Sequence, residues 1–390
     1  MSQFLAGNQI TLLRNGTAYF PALEAAMDAA QYEIYLQTYI YALDDTGLRI
    51  GNALKRAAAR GVHVYLLLDG FGSKDLAKTY VRELEKAGVQ VLFYRPKISP
   101  WTLKRSRLRR MHRKMAAVDG QIGFVGGINI IDDFDASSQD MAAQKSPRMD
   151  YAVQVQGPLL ASMHASMRLL WQKLCRLHLR PARASKLEND LTQKMPANMR
   201  AAFLRRDNLW HRNEIEEAYL AGIQSAKSQI LIANAYFLPG LRFRHALRDA
   251  AKRGVRVTLL LQGRAEYLLL DFATHALYSA LLKQGIEIYE YHKSFMHSKV
   301  AVIDEKWAMV GSSNIDPFSL LMSREANILV QDADFATELR QDIQRAIESG
   351  ASLVSADDWE HRHYFKRFIS WLVYGLVRLM IGLAGYSGSH

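Results

Sequence analysis

Residues 112–129 read HRKMAAVDGQIGFVGGIN, and residues 297–314 read HSKVAVIDEKWAMVGSSN. Both stretches place Lys two residues after His, Asp five after Lys, Gly seven after Asp and Asn three after Gly. The first set is His112, Lys114, Asp119, Gly126 and Asn129; the second is His297, Lys299, Asp304, Gly311 and Asn314. A lone His-x-Lys pair arises by chance on any basic strand. Five matched spacings recurring in one chain do not, and they point to one site assembled from two halves.

The duplication extends outward from these stretches. Residues 53–70, ALKRAAARGVHVYLLLDG, align with 246–263, ALRDAAKRGVRVTLLLQG, with twelve of eighteen positions identical. Upstream, Glu33 and Ile34 match Gln229 and Ile230; downstream, Gly88 and Val89 match Gly285 and Ile286. The offset is 193 to 197 residues over these segments and falls to 185 at the His-Lys motif. That drop locates an insertion in the first half, residues 95–110, RPKISPWTLKRSRLRR. It carries Arg95, Lys97, Lys104, Arg105, Arg107, Arg109 and Arg110 with Trp101 among them, and leads straight into His112. A basic, aromatic-bearing loop at the mouth of a site suits an anionic headgroup surface or a phosphate backbone; the bland alternative is a solvated charge run.

Local patterns alternate between helix and strand. Residues 10–13 read as a short strand, and Ala22, Leu23, Ala26, Met27 and Ala30 form a helical stripe after Pro21. Residues 33–41 alternate as a strand, 48–60 form a helix stopped by Gly61, and VHVYLLLDG is an apolar strand. A helix over 80–87 ends at Gly88, and VQVLFY follows as a strand. Such alternation builds an α/β fold, a sheet with helices packed on it. One long unit occurring twice is a tandem duplication, since a solenoid needs more and shorter repeats.

At 390 residues the chain can bury two cores. Its 49% hydrophobic and 23% charged residues exclude a disordered chain. A net charge of +12 implies a polyanionic partner, nucleic acid or anionic lipid, which charge alone does not separate. Cys175 is the single cysteine, so there is no internal disulfide framework. The opening MSQFLAGNQI lacks the basic and apolar regions of a secretory signal, and no apolar run of 18 residues precedes position 360.

Alternate residues of a strand share a face, so His112 and Lys114 point one way, as do His297 and Lys299. Asp119 and Asp304 stand an odd number of residues beyond Lys and are expected to face away, in a structural role. Gly126 with Gly127, and Gly311 with Ser312, turn the chain so that Asn129 and Asn314 reach the same pocket. Lysine and asparagine suit the nonbridging oxygens of a phosphodiester. Histidine can attack phosphorus or act as acid and base near neutral pH. Two sets place two histidines across one phosphate, one as nucleophile and one as proton donor. No carboxylate cluster suited to Mg²⁺ accompanies them, so a reaction without metal or cofactor is expected. Each histidine also needs an acceptor for its other ring nitrogen. Asp150 in MDYAVQVQ and Glu325 in REANILVQ occupy matching places, each at the start of a strand that ends in Val-Gln.

The double His-x-Lys-x₄-Asp-x₆-Gly pattern resembles that of the phospholipase D superfamily. The asparagine continuation, and a match over nearly the whole chain, are similar to bacterial cardiolipin synthases of the B type. The resemblance implies two α/β lobes, each a mixed sheet flanked by helices, with one active site at their pseudo-twofold interface. It implies catalytic motif residues His112, Lys114, Asp119, His297, Lys299 and Asp304, supported by Asn129, Asn314, Ser312, Asp150 and Glu325. It also implies transfer of a phosphatidyl group from one phosphatidylglycerol to another through a phosphohistidine, giving cardiolipin and glycerol. Phospholipid or nucleic-acid hydrolysis would use the same residues, and a non-catalytic anionic-membrane-binding protein is the other alternative. Both motifs are intact, which weighs against the last; the apolar tail weighs against nucleic acid. The family motif has serine after glycine, which Ser312 keeps and Gly127 does not, so a hydroxyl contact is expected to be missing on one side.

The expected organisation is an N-terminal lobe over 1–180, a linker over 181–208, a C-terminal lobe over 209–350 and a membrane-associating tail over 351–390. In the tail, Arg367, Ser370, Tyr374 and Arg378 share a helical stripe opposite Leu372, Leu376, Leu379 and Leu383. The 17 residues of 368–384 are short for a span and Arg378 interrupts them, so an amphipathic helix lying in the interface is expected. The expected partners are phosphatidylglycerol and an anionic membrane surface, and the expected location is peripheral, on the cytoplasmic side of the bacterial inner membrane.

Overall fold

The computed structural model describes residues 3–96, 109–134, 146–181, 198–207, 211–264, 268–317, 319, 322–355, 370, 372, 373 and 375. The first half runs β1 (Leu5–Arg14), α1 (Asn15–Ala29), β2 (Glu33–Thr38), α2 (Asp45–Ala59), β3 (His63–Asp69), α3 (Lys78–Lys86) and β4 (Gln90–Tyr94). It continues with β5 (Lys114–Val118), β6 (Ile122–Gly126), β7 (Tyr151–Gln156) and α4 (Leu159–Leu177). The second half repeats that order: β8 (Met199–Arg206), α5 (Glu214–Ser225), β9 (Gln229–Asn234), α6 (Leu241–Lys252), β10 (Arg256–Gln262), α7 (Leu268–Leu282) and β11 (Glu287–Tyr291). Then follow β12 (Lys299–Ile303), β13 (Trp307–Gly311), β14 (Glu325–Gln331), α8 (Ala333–Gly350) and a further strand, β15 (Ala351–Leu353).

All fifteen strands join one sheet in the order β15-β11-β10-β9-β12-β13-β14-β8-β1-β7-β6-β5-β2-β3-β4. Apart from β15 the order reads the same from either end, with its centre at the antiparallel pair β1–β8. Strands β2, β3 and β4 are parallel, as are β9, β10 and β11. The middle strands β3 and β10 are buried on both faces, which explains why VYLLL and VTLLL read as continuous apolar runs.

Burial falls into three clusters. Helices α1 to α3 cover an outer face of the first half through Leu23, Leu54 and Leu84. Helices α5 to α7 do the same for the second half through Ile223, Leu247 and Leu277. The third cluster is shared: Met115, Val125 and Val153 meet Val300, Val310 and Ile328, flanked by Met163 of α4 and Leu339 of α8. It includes Met111 and Met149, each next to a proposed site residue, so the pocket walls are continuous with the largest core.

Three local readings change. Helix α1 begins six residues before Pro21, which lies inside it. Asn15 takes φ +56°, and the Asp133 carboxylate accepts the N–H groups of Gly16 at 2.9 Å and Thr17 at 3.3 Å. That cap comes from a side chain 117 residues away, so no local signal announces the helix start. Met199–Arg206, placed in the linker by its charge, is a central strand. Ala201 and Phe203 face the shared core and Ala202 and Leu204 the second-half core, with the arginines at the strand ends. Ala351–Leu353, placed in the tail, pairs with β11. Residues 97–108 of the basic insertion, and most of the tail, lie outside the described residues. Of the tail, Ser370 is buried, Val373 packs on the second-half core and Leu372 is exposed. No helix among the described residues is long and apolar enough to cross a membrane.

Candidate active site

The segments leading into β5, β7, β12 and β14 cross between the halves. The His112 N–H donates to the Arg324 carbonyl at 3.0 Å, and the His297 N–H to the Met149 carbonyl at 2.8 Å. Parallel bridges join Met111 to Arg324 and Met149 to Met296. These pairings bring both histidines to one cavity of about 410 Å³, a size suited to a small ligand or headgroup. Its lining includes Asn129, Asn314, Asp150, Tyr39, Tyr236, Arg110, Arg148 and Phe295.

The carboxylates cross over. His112 Nδ1 lies 3.0 Å from Glu325 Oε1, and His297 Nδ1 lies 2.8 Å from Asp150 Oδ2, so each half orients the other half's imidazole. With Nδ1 engaged, Nε2 is the ring atom left without a partner among the described residues. Tyr39 meets His112 edge-on with centroids 4.8 Å apart, and Phe295 lies within 20° of parallel to His297. Both imidazoles are thereby held in orientation and tautomer.

The lysines lie beneath the histidines. Lys114 is 2% exposed and donates to the His112 carbonyl at 2.8 Å; Lys299 is fully buried and donates to the His297 carbonyl. Burial lowers the Lys114 ammonium to about 7, with Glu325 pulling the other way and Lys299 adding to the depression. Burial also depresses both histidines, His297 strongly, where Lys299, Lys114 and Arg148 add to the effect. Asp150 is pushed up to about 7 by burial, against the opposing pull of Lys299. Burial is the largest cause of each shift, and the mutual repulsion of the lysines, the histidines and Arg148 adds an incentive to bind an anion. Asn129 Oδ1 accepts the Ile40 N–H at 3.1 Å, whereas Asn314 Oδ1 is buried without a partner among the described residues.

The two motif aspartates do not reach this cavity. Asp119 accepts the N–H groups of Gln31, Tyr32 and Glu33 at 2.7 to 2.9 Å. Asp304 accepts those of Lys227, Ser228 and Gln229 at 2.9 to 3.1 Å, together with the Ser228 hydroxyl. Each sits at a positive φ, +49° and +50°, where the chain turns out of the histidine-bearing strand. They tie that strand to the start of its neighbour.

The hydroxyl contact expected to be missing on one side is absent at Gly127, and the structure shows what takes its place. Ser312 Oγ donates to Glu325 Oε2 at 2.6 Å. A Cβ at Gly127 would instead stand 2.2 Å from Asp150 Oδ1. The shorter aspartate occupies the space that serine and glutamate share in the other half. The readings that sequence patterns missed are the aromatic walls Tyr39, Tyr236 and Phe295, and Arg148. Arg148 stands two residues before Asp150 on the segment leading into β7, and that proximity is the only sequence signal for it.

A palindromic sheet with a doubled His-Lys set, one copy leading into β5 and one into β12, defines a phospholipase D-like protein. The family described as "Cardiolipin synthase, PLD-like domain" matches residues 23–143 and 219–347, and the chain belongs to it. Cardiolipin synthase B of Salmonella typhimurium (strain LT2) is 38% identical, over 98% of this chain and 91% of that protein. Cardiolipin synthase B of Escherichia coli (strain K12) is 37% identical with the same coverage. The phosphatidylserine synthase structure from Haemophilus influenzae shares the fold, with TM-score 0.68 over 98% of this chain and 96% of that one at 13% identity.

Proposed function

We propose that this protein is a cardiolipin synthase, a phosphatidyltransferase that uses phosphatidylglycerol as donor and as acceptor. The observation that carries the reading is the pair of histidines with crossed carboxylates around one cavity, in a chain similar over nearly its whole length to proteins named cardiolipin synthase B.

In the first step, Nε2 of one histidine attacks the phosphorus of phosphatidylglycerol. The bond from phosphorus to the glycerol oxygen breaks, and the other histidine gives that oxygen its proton. In the second step, the now neutral second histidine takes the proton of a hydroxyl on another phosphatidylglycerol. That oxygen attacks phosphorus, the P–N bond breaks, and cardiolipin leaves. Lys114 and Lys299 supply positive charge toward the nonbridging oxygens, and Asn129 and Asn314 supply amide donors, at a site where low dielectric strengthens both. Asp150 and Glu325 hold the histidines and stabilise each imidazolium as it forms. Asp119 and Asp304 act as anchors of the strands.

The protein works at an anionic membrane surface, bound peripherally on the cytoplasmic side of the bacterial cell membrane. The net charge of +12 and the basic, apolar tail support that placement. The test is to supply purified protein with phosphatidylglycerol vesicles and separate the products. Cardiolipin with an equal amount of glycerol is expected; phosphatidic acid as the sole lipid product would replace transfer with hydrolysis.

A further inference from the structure

The two sides of the cavity differ at the rim in a way that the paired histidines do not require. Two residues before His112 stands Arg110, while two before His297 stands Phe295. Two residues before Asp150 stands Arg148, while two before Glu325 stands Ser323. All four line the cavity. Each side therefore carries one arginine, but from non-equivalent positions: Arg110 precedes the histidine on one side, and Arg148 precedes the histidine's carboxylate partner on the other.

Arg148 is held in place. Its guanidinium lies 5.1 Å from the centre of the Phe295 ring, and its backbone N–H donates to the Asp133 carbonyl at 2.7 Å. It lies two residues before Asp150 on the segment leading into β7, and both line the cavity; the Asp150 carboxylate orients His297. Yet the guanidinium makes no ion pair among the described residues, and its buried Nε has no hydrogen-bond partner. Asp133 feels its charge but is committed to the amides of Gly16 and Thr17. A guanidinium aligned by an aromatic ring and short of acceptors, in the wall of a phosphodiester site, is shaped for a second anion.

Resting on the transfer reading above, we infer that Arg148 holds the phosphodiester of the acceptor phosphatidylglycerol and so selects an acceptor that carries a phosphate. The lysines and asparagines serve the phosphate under attack. The acceptor's own phosphate is one glycerol away from the reacting hydroxyl, which puts it at the cavity rim. Water and free glycerol offer Arg148 neutral oxygens but no anion to pair with.

The test uses the full chain in phosphatidylglycerol vesicles with labelled glycerol added. Cardiolipin formation reports a phosphate-bearing acceptor, and uptake of label into phosphatidylglycerol reports a neutral one reacting with the same enzyme intermediate. For Arg148→Gln, the ratio of cardiolipin formed to glycerol exchanged should fall about 10- to 100-fold, the loss expected for charge-assisted hydrogen bonds. Arg148→Lys, which keeps the charge without the fork, should recover part of that ratio. An unchanged ratio in Arg148→Gln overturns the assignment, as does a loss of both products in step in both variants. Failure of the unsubstituted protein to form cardiolipin while it exchanges glycerol refutes the transfer reading itself, a result separate from any behaviour of the variants.

Discussion

Substituting Gly127 with serine restores the residue found at the matching position of the second half, and the structure predicts that this does harm. The Cβ of any residue there would lie 2.2 Å from Asp150 Oδ1 and 2.6 Å from Oδ2, and the three nearest atoms all belong to that carboxylate. The carboxylate must rotate away. It then gives up the Tyr151 N–H at 2.8 Å and His297 Nδ1 at 2.8 Å. Overpacking a buried site costs about 1–3 kcal/mol of stability. Losing a charge-assisted hydrogen bond to the histidine costs about 1.5–3 kcal/mol, or roughly 10- to 100-fold in turnover if the bond orients the reacting imidazole. Gly127→Ala should behave similarly, because the Cβ suffices. Ser312→Ala is the comparator: it removes the 2.6 Å bond to Glu325 without crowding, at about 0.5–1.5 kcal/mol. The measurements are cardiolipin formation in phosphatidylglycerol vesicles and the urea midpoint of each variant. Gly127→Ser with the unsubstituted protein's turnover and midpoint would refute the argument that aspartate fills the serine's place.

Other outcomes follow from the same geometry. Asp119→Ala strands three backbone N–H groups and should lower unfolding free energy by about 2–4 kcal/mol in urea titration; a loss of turnover with no loss of stability would contradict its anchoring role. Glu325→Gln should alter the ring-nitrogen NMR signals of His112, in the other half, and cut activity about 10²–10⁴-fold. If it moved the His297 signals and left those of His112, the crossed pairing would be wrong. Lys299→Met should raise the His297 titration and lift Asp150 further, because Lys299 depresses both. Since the fold holds both histidines below their ordinary value, the unfolded chain binds more protons at them as pH falls through ~6.5 and stability should drop there; Asp150, held up at about 7 in the fold, offsets part of the drop, so Asp150→Asn should steepen it. A rise in the unfolding midpoint over that window would oppose the burial argument.

Much of the architecture was legible because duplication doubles every signal. Matched spacing exposed the paired motif, and alternation along the strands placed His112 with Lys114 and turned the aspartates away. The strand MRAAFLRR was obscured by charges at its ends, and the start of α1 by a cap from Asp133 far along the chain. Asp150 and Glu325 were found as candidates by their matching places before Val-Gln strands. Their crossing was not readable, because it depends on how halves 147 and 213 residues apart pack together. The hydroxyl missing at Gly127 was legible, but what fills its place was not, for a related reason. A side chain absent from a motif is seen as a lost contact until the carboxylate occupying its volume is known. Arg148 carries no motif at all, only its place two residues before Asp150.

The central claim is that one of the two paired histidines bonds to phosphorus. Its most direct test is rapid quenching of the protein with phosphatidylglycerol labelled in the phosphate, followed by mapping of the protein-bound label. The account predicts alkali-stable, acid-labile label on a single histidine, His112 or His297, that disappears when that residue is replaced and is discharged into cardiolipin on adding phosphatidylglycerol. Cardiolipin formed at full rate with no label on either histidine, or with the label elsewhere in the chain, would contradict it.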